Sequence, residues 1–174
     1  MGDADQATDT DTSTDVLAFI EIPRGSRNKY EYDPASGAIR LDRVLYSSVH
    51  YPSDYGFVLD TLGEDGDPLD VLVLVQEPTF PGCVVPARPI GGLDMHDEKG
   101  SDFKVVAVPV GDPRYRHVTD LAQLGDHWFR EIETFFATYK QLEGKTTEVL
   151  GWHDAEEACA VIEQCRARFA AAPA

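Results

Sequence analysis

The chain has 174 residues, 43% of them hydrophobic, which suits one domain with one core, and it holds no apolar run long enough to span a membrane. Its 31 acids against 15 Lys and Arg give a net charge of −16, which argues against nucleic acid as a partner and disfavours a polyanionic substrate unless cations or local bases reverse the field. Five of those acids are the Asp residues of segment 1–15, which has no Lys, no Arg and no apolar stretch, so it reads as a disordered acidic tail and not as a secretion signal. The body, 16–174, carries the remaining charge of about −11 and shows no linker that would divide it. Cys83, Cys159 and Cys165 form no CxxC pair, and reduced thiols in a cytoplasmic protein are expected.

In chain order, Val16 to Ile22 is a short apolar strand ended by Pro23. Lys29 to Asp33 alternates, meets the turn Asp33-Pro34-Ala35-Ser36-Gly37, and resumes as a strand from Ala38 to Tyr46, which predicts a hairpin. Tyr51 to Gly56 reads as a Pro- and Gly-bearing turn. Leu69 to Val75 is a continuous β-branched and apolar run, the mark of a buried strand. Cys83 to Ile90 and Phe103 to Val110 are further strands, separated by a Gly-rich polar stretch, 91–102, expected as a loop. Strands this short at this spacing predict a closed or nearly closed antiparallel barrel. The last third changes period. Trp128, Ile132, Phe135, Phe136, Tyr139 and Leu142 fall at helical spacing behind a cap at Asp126. A second helix starts at Asp154, with Glu157 completing a capping box and Ala158, Val161, Ile162, Cys165 and Phe169 as its apolar side. The fold class is mainly β with flanking helices (α+β), a closed barrel with two C-terminal helices packed outside.

Chemistry concentrates in Asp65-Gly66-Asp67-Pro68-Leu69-Asp70. Three carboxylates in six residues repel one another, and they need cations or protons to stay together. Hard divalent cations that take oxygen ligands suit such a group. In an extended backbone Asp65 and Asp67 point to one side, and Asp70 opens the buried strand. The spacing excludes an EF-hand, since position 5 from Asp65 is Leu69 and position 12 is Gln76. A second acidic group, Asp97, Glu98 and Asp102, precedes Lys104, with Asp102 and Lys104 on one strand face. Opposed across a barrel mouth, the two groups would bind two or more metals. Phosphate oxygens also want donors, and Lys29, Arg43, Lys140, Tyr51, Tyr55 and Tyr139 offer them. Singly each has an ordinary structural role, Tyr139 as core and Lys29 with Glu31 as a surface pair, so the force lies in the set.

Glu21-Ile22-Pro23-Arg24-Gly25-Ser26-Arg27-Asn28-Lys29-Tyr30-Glu31, Leu41-Asp42-Arg43, Tyr51-Pro52-Ser53-Asp54-Tyr55-Gly56, Asp65-Gly66-Asp67-Pro68-Leu69-Asp70-Val71, Met95-His96-Asp97-Glu98, Asp102-Phe103-Lys104 and Tyr139-Lys140 occur in the order found in the family I soluble inorganic pyrophosphatases, which the chain resembles. The resemblance covers residues 21–140; Arg24 and His96 depart mildly from the commonest pattern. It implies a five-stranded OB-like barrel and Mg²⁺-dependent hydrolysis of pyrophosphate to two phosphates by direct attack of a metal-activated water. It implies Asp65, Asp70, Asp97 and Asp102 as main Mg²⁺ ligands with Glu31 and Glu21 assisting, Mn²⁺ as a possible substitute, and Asp67 as proton acceptor. Lys29, Arg43, Tyr55, Lys104, Tyr139 and Lys140 would hold the phosphates. It also implies a homo-oligomer, a hexamer in microbial members, with pyrophosphate as the partner and neither nucleic acid nor membrane.

Overall fold

The computed structural model describes residues 14–173, so all of the acidic tail but its last two positions lies outside the described residues. The elements are β1 (Val16–Ile22), β2 (Asn28–Asp33), β3 (Ala38–Val44), β4 (Asp54–Val58), β5 (Asp70–Val73), β6 (Val84–Asp97), β7 (Gly100–Pro109), α1 (Asp126–Thr138), β8 (Glu148–His153) and α2 (Ala155–Ala171). Because β1 pairs with both β4 and β6, the order β1-β4-β5-β7-β6 closes on itself as a ring of five strands. β6 extends past its pairing with β1, and β8 pairs with that extension. β2 and β3 form the expected separate hairpin, whose turn is fastened by Asp33 accepting from the Ala35 N–H and the Ser36 hydroxyl. The barrel is not wholly antiparallel: β5 and β7 run parallel, since the chain passes through β6 between them.

Other readings of the sequence also change. The turn at 51–56 delivers β4, which begins inside it at Asp54. The stretch 91–102 is not a loop; β6 and β7 continue through it and turn only at Glu98-Lys99. Gly91 and Gly92 serve close packing there, because a Cβ on Gly91 would lie 2.3 Å from Leu121 and one on Gly92 2.2 Å from the Phe103 ring. β8 had no sequence signal, being short and only half-buried. At the helices, α1 is capped by Gly125, with Asp126 in the first turn, where its charge suits the helix dipole. Leu142 leaves the helical stripe for an exposed position in the short turn Gln141–Glu143. The capping box of α2 forms as read, Asp154 accepting from Glu157 N–H and Glu157 reaching back, while Phe169 lies exposed beyond the buried side.

The ring has two cores because its strands are apolar on both faces. Ala18, Val58, Val71, Val73, Ala87, Val105 and Ala107, drawn from all five strands, fill the interior together with Ile162 and Cys165 of α2. The alternate residues Leu72, Leu74, Val106 and Val108 form a second core on the outer face, covered by Ile132, Phe135 and Phe136 of α1. By the same alternation Asp70, Asp102 and Lys104 belong to that outer face. β6 joins it through a bulge at Pro89–Gly91, which takes the strand from Val85 and Ala87 in the interior core to Leu93 and Met95 in the outer one. Asp97, two residues past Met95, therefore emerges on the face of Lys104. A second bulge, where Ile20 and Ile22 oppose Gly56 and Tyr55, leaves Glu21 as the extra residue of β1.

Candidate active site

Lys104 is the centre of the polar cluster. Its side chain is 2% exposed, yet its ammonium reaches Asp70 Oδ2 at 2.8 Å, both oxygens of Asp102 at 2.9 Å and the Tyr55 hydroxyl at 2.9 Å. The Tyr55 hydroxyl in turn donates to Asp70 Oδ2 at 2.5 Å. The stem is sandwiched by aromatics, with the ammonium 5.3 Å from the Tyr55 ring and 5.2 Å from the Phe136 ring of α1. Burial alone would drive the lysine towards neutrality; Asp70 and Asp102 overcome it and raise the pKa. Burial raises the Asp102 carboxyl, opposed by Lys104 and reinforced by Asp70. Burial also holds the Tyr55 phenol far above its usual range, so it stays a donor.

A second pair stands beside this one. Lys140, just past α1, bonds Asp97 Oδ2 at 2.9 Å, and that ammonium, against the cost of burial, holds the Asp97 carboxyl below its usual range. Asp97 and Asp102 each lie in the field of the other cluster's charges. From the hairpin, Lys29 pairs with Glu31 and with Asp42, and Arg43 donates to Asp42 at 2.6 Å and to Glu143 at 2.9 Å. Glu21 accepts from the Tyr32 N–H at 2.7 Å and faces Asp70, Lys29 and Glu31. Burial, with Asp70 and Glu31 adding to it, pushes its pKa up to about 7. Tyr139 is buried in the outer core, its ring 5.2 Å from Phe135.

Asp65 and Asp67 lie in the turn before β5. Residues 64–67 form an exposed turn with Gly66 at φ +89°, not an extended segment, and Asp65 Oδ1 accepts from the Asp67 N–H at 3.1 Å. The structure brings together Glu21, Lys29, Glu31, Arg43, Tyr55, Asp70, Asp97, Asp102, Lys104, Tyr139 and Lys140, while Asp65 and Asp67 make no hydrogen bond to them. Among the described residues no three His, Cys, Asp or Glu side chains are arranged as a ready metal cage. At the centre Lys104 bonds both Asp70 and Asp102. The donor set is nevertheless that of a hard cation: all oxygen, and desolvated enough that burial makes Glu21 and Asp102 both hold their protons more tightly than usual.

Two acids escaped the sequence reading. Glu143 holds Arg43 from a short turn that gave no pattern. Asp54 is fully buried and accepts from the Arg24 N–H at 2.8 Å and from Thr79 N–H and hydroxyl at 3.1 and 2.6 Å. Arg24 completes that clasp by donating to the carbonyls of Val75 and Gln76 and lying 5.9 Å from the Trp128 ring.

The family model described as inorganic pyrophosphatase matches residues 18–170, from within β1 through nearly all of α2. The chain belongs to the inorganic pyrophosphatase family. Within that family, the inorganic pyrophosphatase of Halalkalibacterium halodurans is 55% identical over 88% of this chain and 94% of its own. That of Haloferax volcanii is 51% identical over 91% of this chain and 90% of its own. Among solved structures, the inorganic pyrophosphatase from Thermus thermophilus superposes with a TM-score of 0.88 at 47% identity, covering 98% of this chain and 97% of that one. No helix among the described residues of this inorganic pyrophosphatase family member is long and apolar enough to cross a membrane.

Proposed function

We propose that the protein is a metal-dependent hydrolase of inorganic pyrophosphate, with its active site on the outer barrel face under the end of α1. The observation that carries this reading is the interleaving of acids and bases there: Asp70, Asp102 and Asp97 supply oxygen ligands, and Lys104, Lys140, Lys29 and Arg43 supply phosphate donors between them. A pure cation-binding module has no use for those donors, and a nucleic-acid site has no use for the acids. Family membership supports the substrate.

Asp65, Asp70, Asp97 and Asp102, with Glu21 and Glu31, would hold Mg²⁺ or, in its place, Mn²⁺. The bound ions supply Lewis acidity that lowers the pKa of water and neutralises the substrate's charge. Asp67 accepts the proton of the attacking water, and its exposed turn gives it access to solvent-borne substrate. Arg43 offers its fork and Lys29, Lys104 and Lys140 their point charges to the phosphate oxygens. Tyr55 and Tyr139 add phenolic donors, neutral across the physiological range in the case of Tyr55. Desolvation around Lys104 strengthens each of these interactions relative to water. Residues 16–174 act in this scheme as one domain in a cytoplasmic homo-oligomer.

The test is phosphate release from pyrophosphate with and without Mg²⁺, with Asp67→Asn as control. Mg²⁺-dependent release that the substitution abolishes supports both the activity and the proton acceptor. Release that survives in Asp67→Asn removes Asp67 from its role, and no release from folded, Mg²⁺-supplied protein overturns the reading.

A further inference from the structure

Arg43 stands between two carboxylates that pull in different directions. Its neighbour Asp42 accepts from Nη1 at 2.6 Å and also draws Lys29 to 3.4 Å. Glu143, 100 residues on, accepts from Nε at 2.9 Å. Among the described residues Nη2 makes no hydrogen bond to the protein, which leaves its N–H groups for an anion. Glu143 is not a casual surface acid. Its side chain is 7% exposed, and it is turned inwards by a short turn that ends on Gly144 at φ +71°, a left-handed conformation glycine adopts without strain. That turn follows Tyr139 and Lys140 directly. Beyond it, Lys145 lies 3.3 Å from Glu98 and 4.0 Å from Glu143, and Lys140 lies 3.6 Å from Glu98 and 2.9 Å from Asp97. Opposite charges therefore alternate from Asp42 through Arg43, Glu143, Lys145, Glu98 and Lys140 to Asp97, linking β3, the turn after α1 and the β6–β7 turn.

We infer that Glu143 is a positioning residue: it fixes the Arg43 guanidinium through Nε while Asp42 holds Nη1, and so keeps Nη2 in register with Lys140 for the same anion. The inference rests on the reading of that site as one for pyrophosphate. Glu31 draws Lys29 from Asp42, and Glu143 is the second partner of Arg43 beside Asp42; a partly buried ion pair adds little stability on its own. Its place next to the Tyr139–Lys140 pair gives it a use in substrate binding instead.

The role is read in a double-mutant cycle on the full chain, using steady-state hydrolysis of Mg²⁺-pyrophosphate and calorimetric binding of methylenediphosphonate, an analogue whose bridge cannot be hydrolysed. Glu143→Ala should raise KM and the analogue's Kd about tenfold, the worth of one charge-assisted hydrogen bond, with kcat within about threefold. Glu143→Gln keeps an uncharged acceptor for Nε–H and should fall between, at about threefold. In an Arg43→Ala background both substitutions should have no further effect on KM or Kd. Should Glu143→Ala not fold, the Gln variant carries the cycle. Multiplicative effects of Arg43→Ala and either Glu143 variant, or a lowered melting temperature with KM and Kd unchanged, overturn the inference while leaving the proposed function standing. A wild-type protein that neither hydrolyses pyrophosphate nor binds the analogue overturns the site reading and this inference together.

Discussion

Replacing Lys104 by Met tests the electrostatic account of the site. The substitution keeps length and apolar volume beneath Phe136 and removes the one ammonium shared by Asp70 and Asp102. Tyr55 still donates to Asp70, so that hydrogen bond survives. Removing one partner of a buried ionic group costs about 3–5 kcal/mol. Here the Asp70 and Asp102 side chains retain 33% and 25% of their exposure, so water recovers part of the loss and about 2–3 kcal/mol is expected at pH 7.5 without metal. For a chain of this length that is a fall in Tm of about 4–12 °C. The sign with pH follows from the carboxyls. Burial already raises the Asp102 carboxyl and Lys104 opposes it, so without the ammonium Asp102 holds its proton more tightly folded than unfolded, the variant's stability falls as pH rises, and its deficit against wild type narrows towards pH 5. Saturating Mg²⁺ should raise the variant's Tm more than that of wild type, because two uncompensated carboxylates gain a counter-charge. Calorimetric melting at pH 5 and 7.5, with and without Mg²⁺, reads all three effects. A variant as stable as wild type at pH 7.5, or a deficit that neither acid nor Mg²⁺ diminishes, refutes the reasoning.

In metal-free protein, Glu21 holds its proton up to about pH 7 folded but only to its ordinary value near 4.5 unfolded, so stability should decline between those limits as pH rises, by up to about 1.4 kcal/mol per pH unit. Urea titrations across that window should show the Glu21→Gln variant losing this slope relative to wild type. Gly56→Ala places a Cβ 1.8 Å from the Phe19 carbonyl oxygen across the β1–β4 pair, so the backbone must part; a loss of about 3 kcal/mol or more is expected, and an unchanged denaturation midpoint would contradict the close approach. Asp154→Ala removes the α2 capping box and should cost about 1 kcal/mol with no change in KM for pyrophosphate.

Much was legible in the residues because local chemistry fixes it. β1, the β2–β3 hairpin and β5 follow from alternation or apolar runs bounded by turn residues, and the α2 start from Asp154 and Glu157. The pairing of Asp102 with Lys104 and of Lys29 with Glu31 follows from the two-residue period of a strand. β4 was hidden because a strand core of Tyr55-Gly56 reads as turn chemistry, and the outer halves of β6 and β7 because their glycines, needed for close packing, look like a loop. Glu143 and Asp54 were missed because each acts on a residue distant in sequence: 100 positions for Arg43, 30 for Arg24 and 25 for Thr79.

The sequence by itself determined which groups the chain can use: a cluster of hard oxygen ligands, a set of anion donors, apolar strands enough for a ring, and a family-wide order of motifs. It also set that Asp102 and Lys104 share a face, since pleating leaves no choice. Tertiary structure alone decided which face that is. Closure of β1 onto β6 gave each strand two buried sides, and the polar cluster lies on the side that α1 covers. For Asp97 the decision was the bulge at Pro89–Gly91. Side chains along a strand alternate with a period of two, so a single extra residue moves everything beyond it to the opposite side. That extra residue depends on pairing with β7 and on packing around Gly91, both of which exist only in the folded chain.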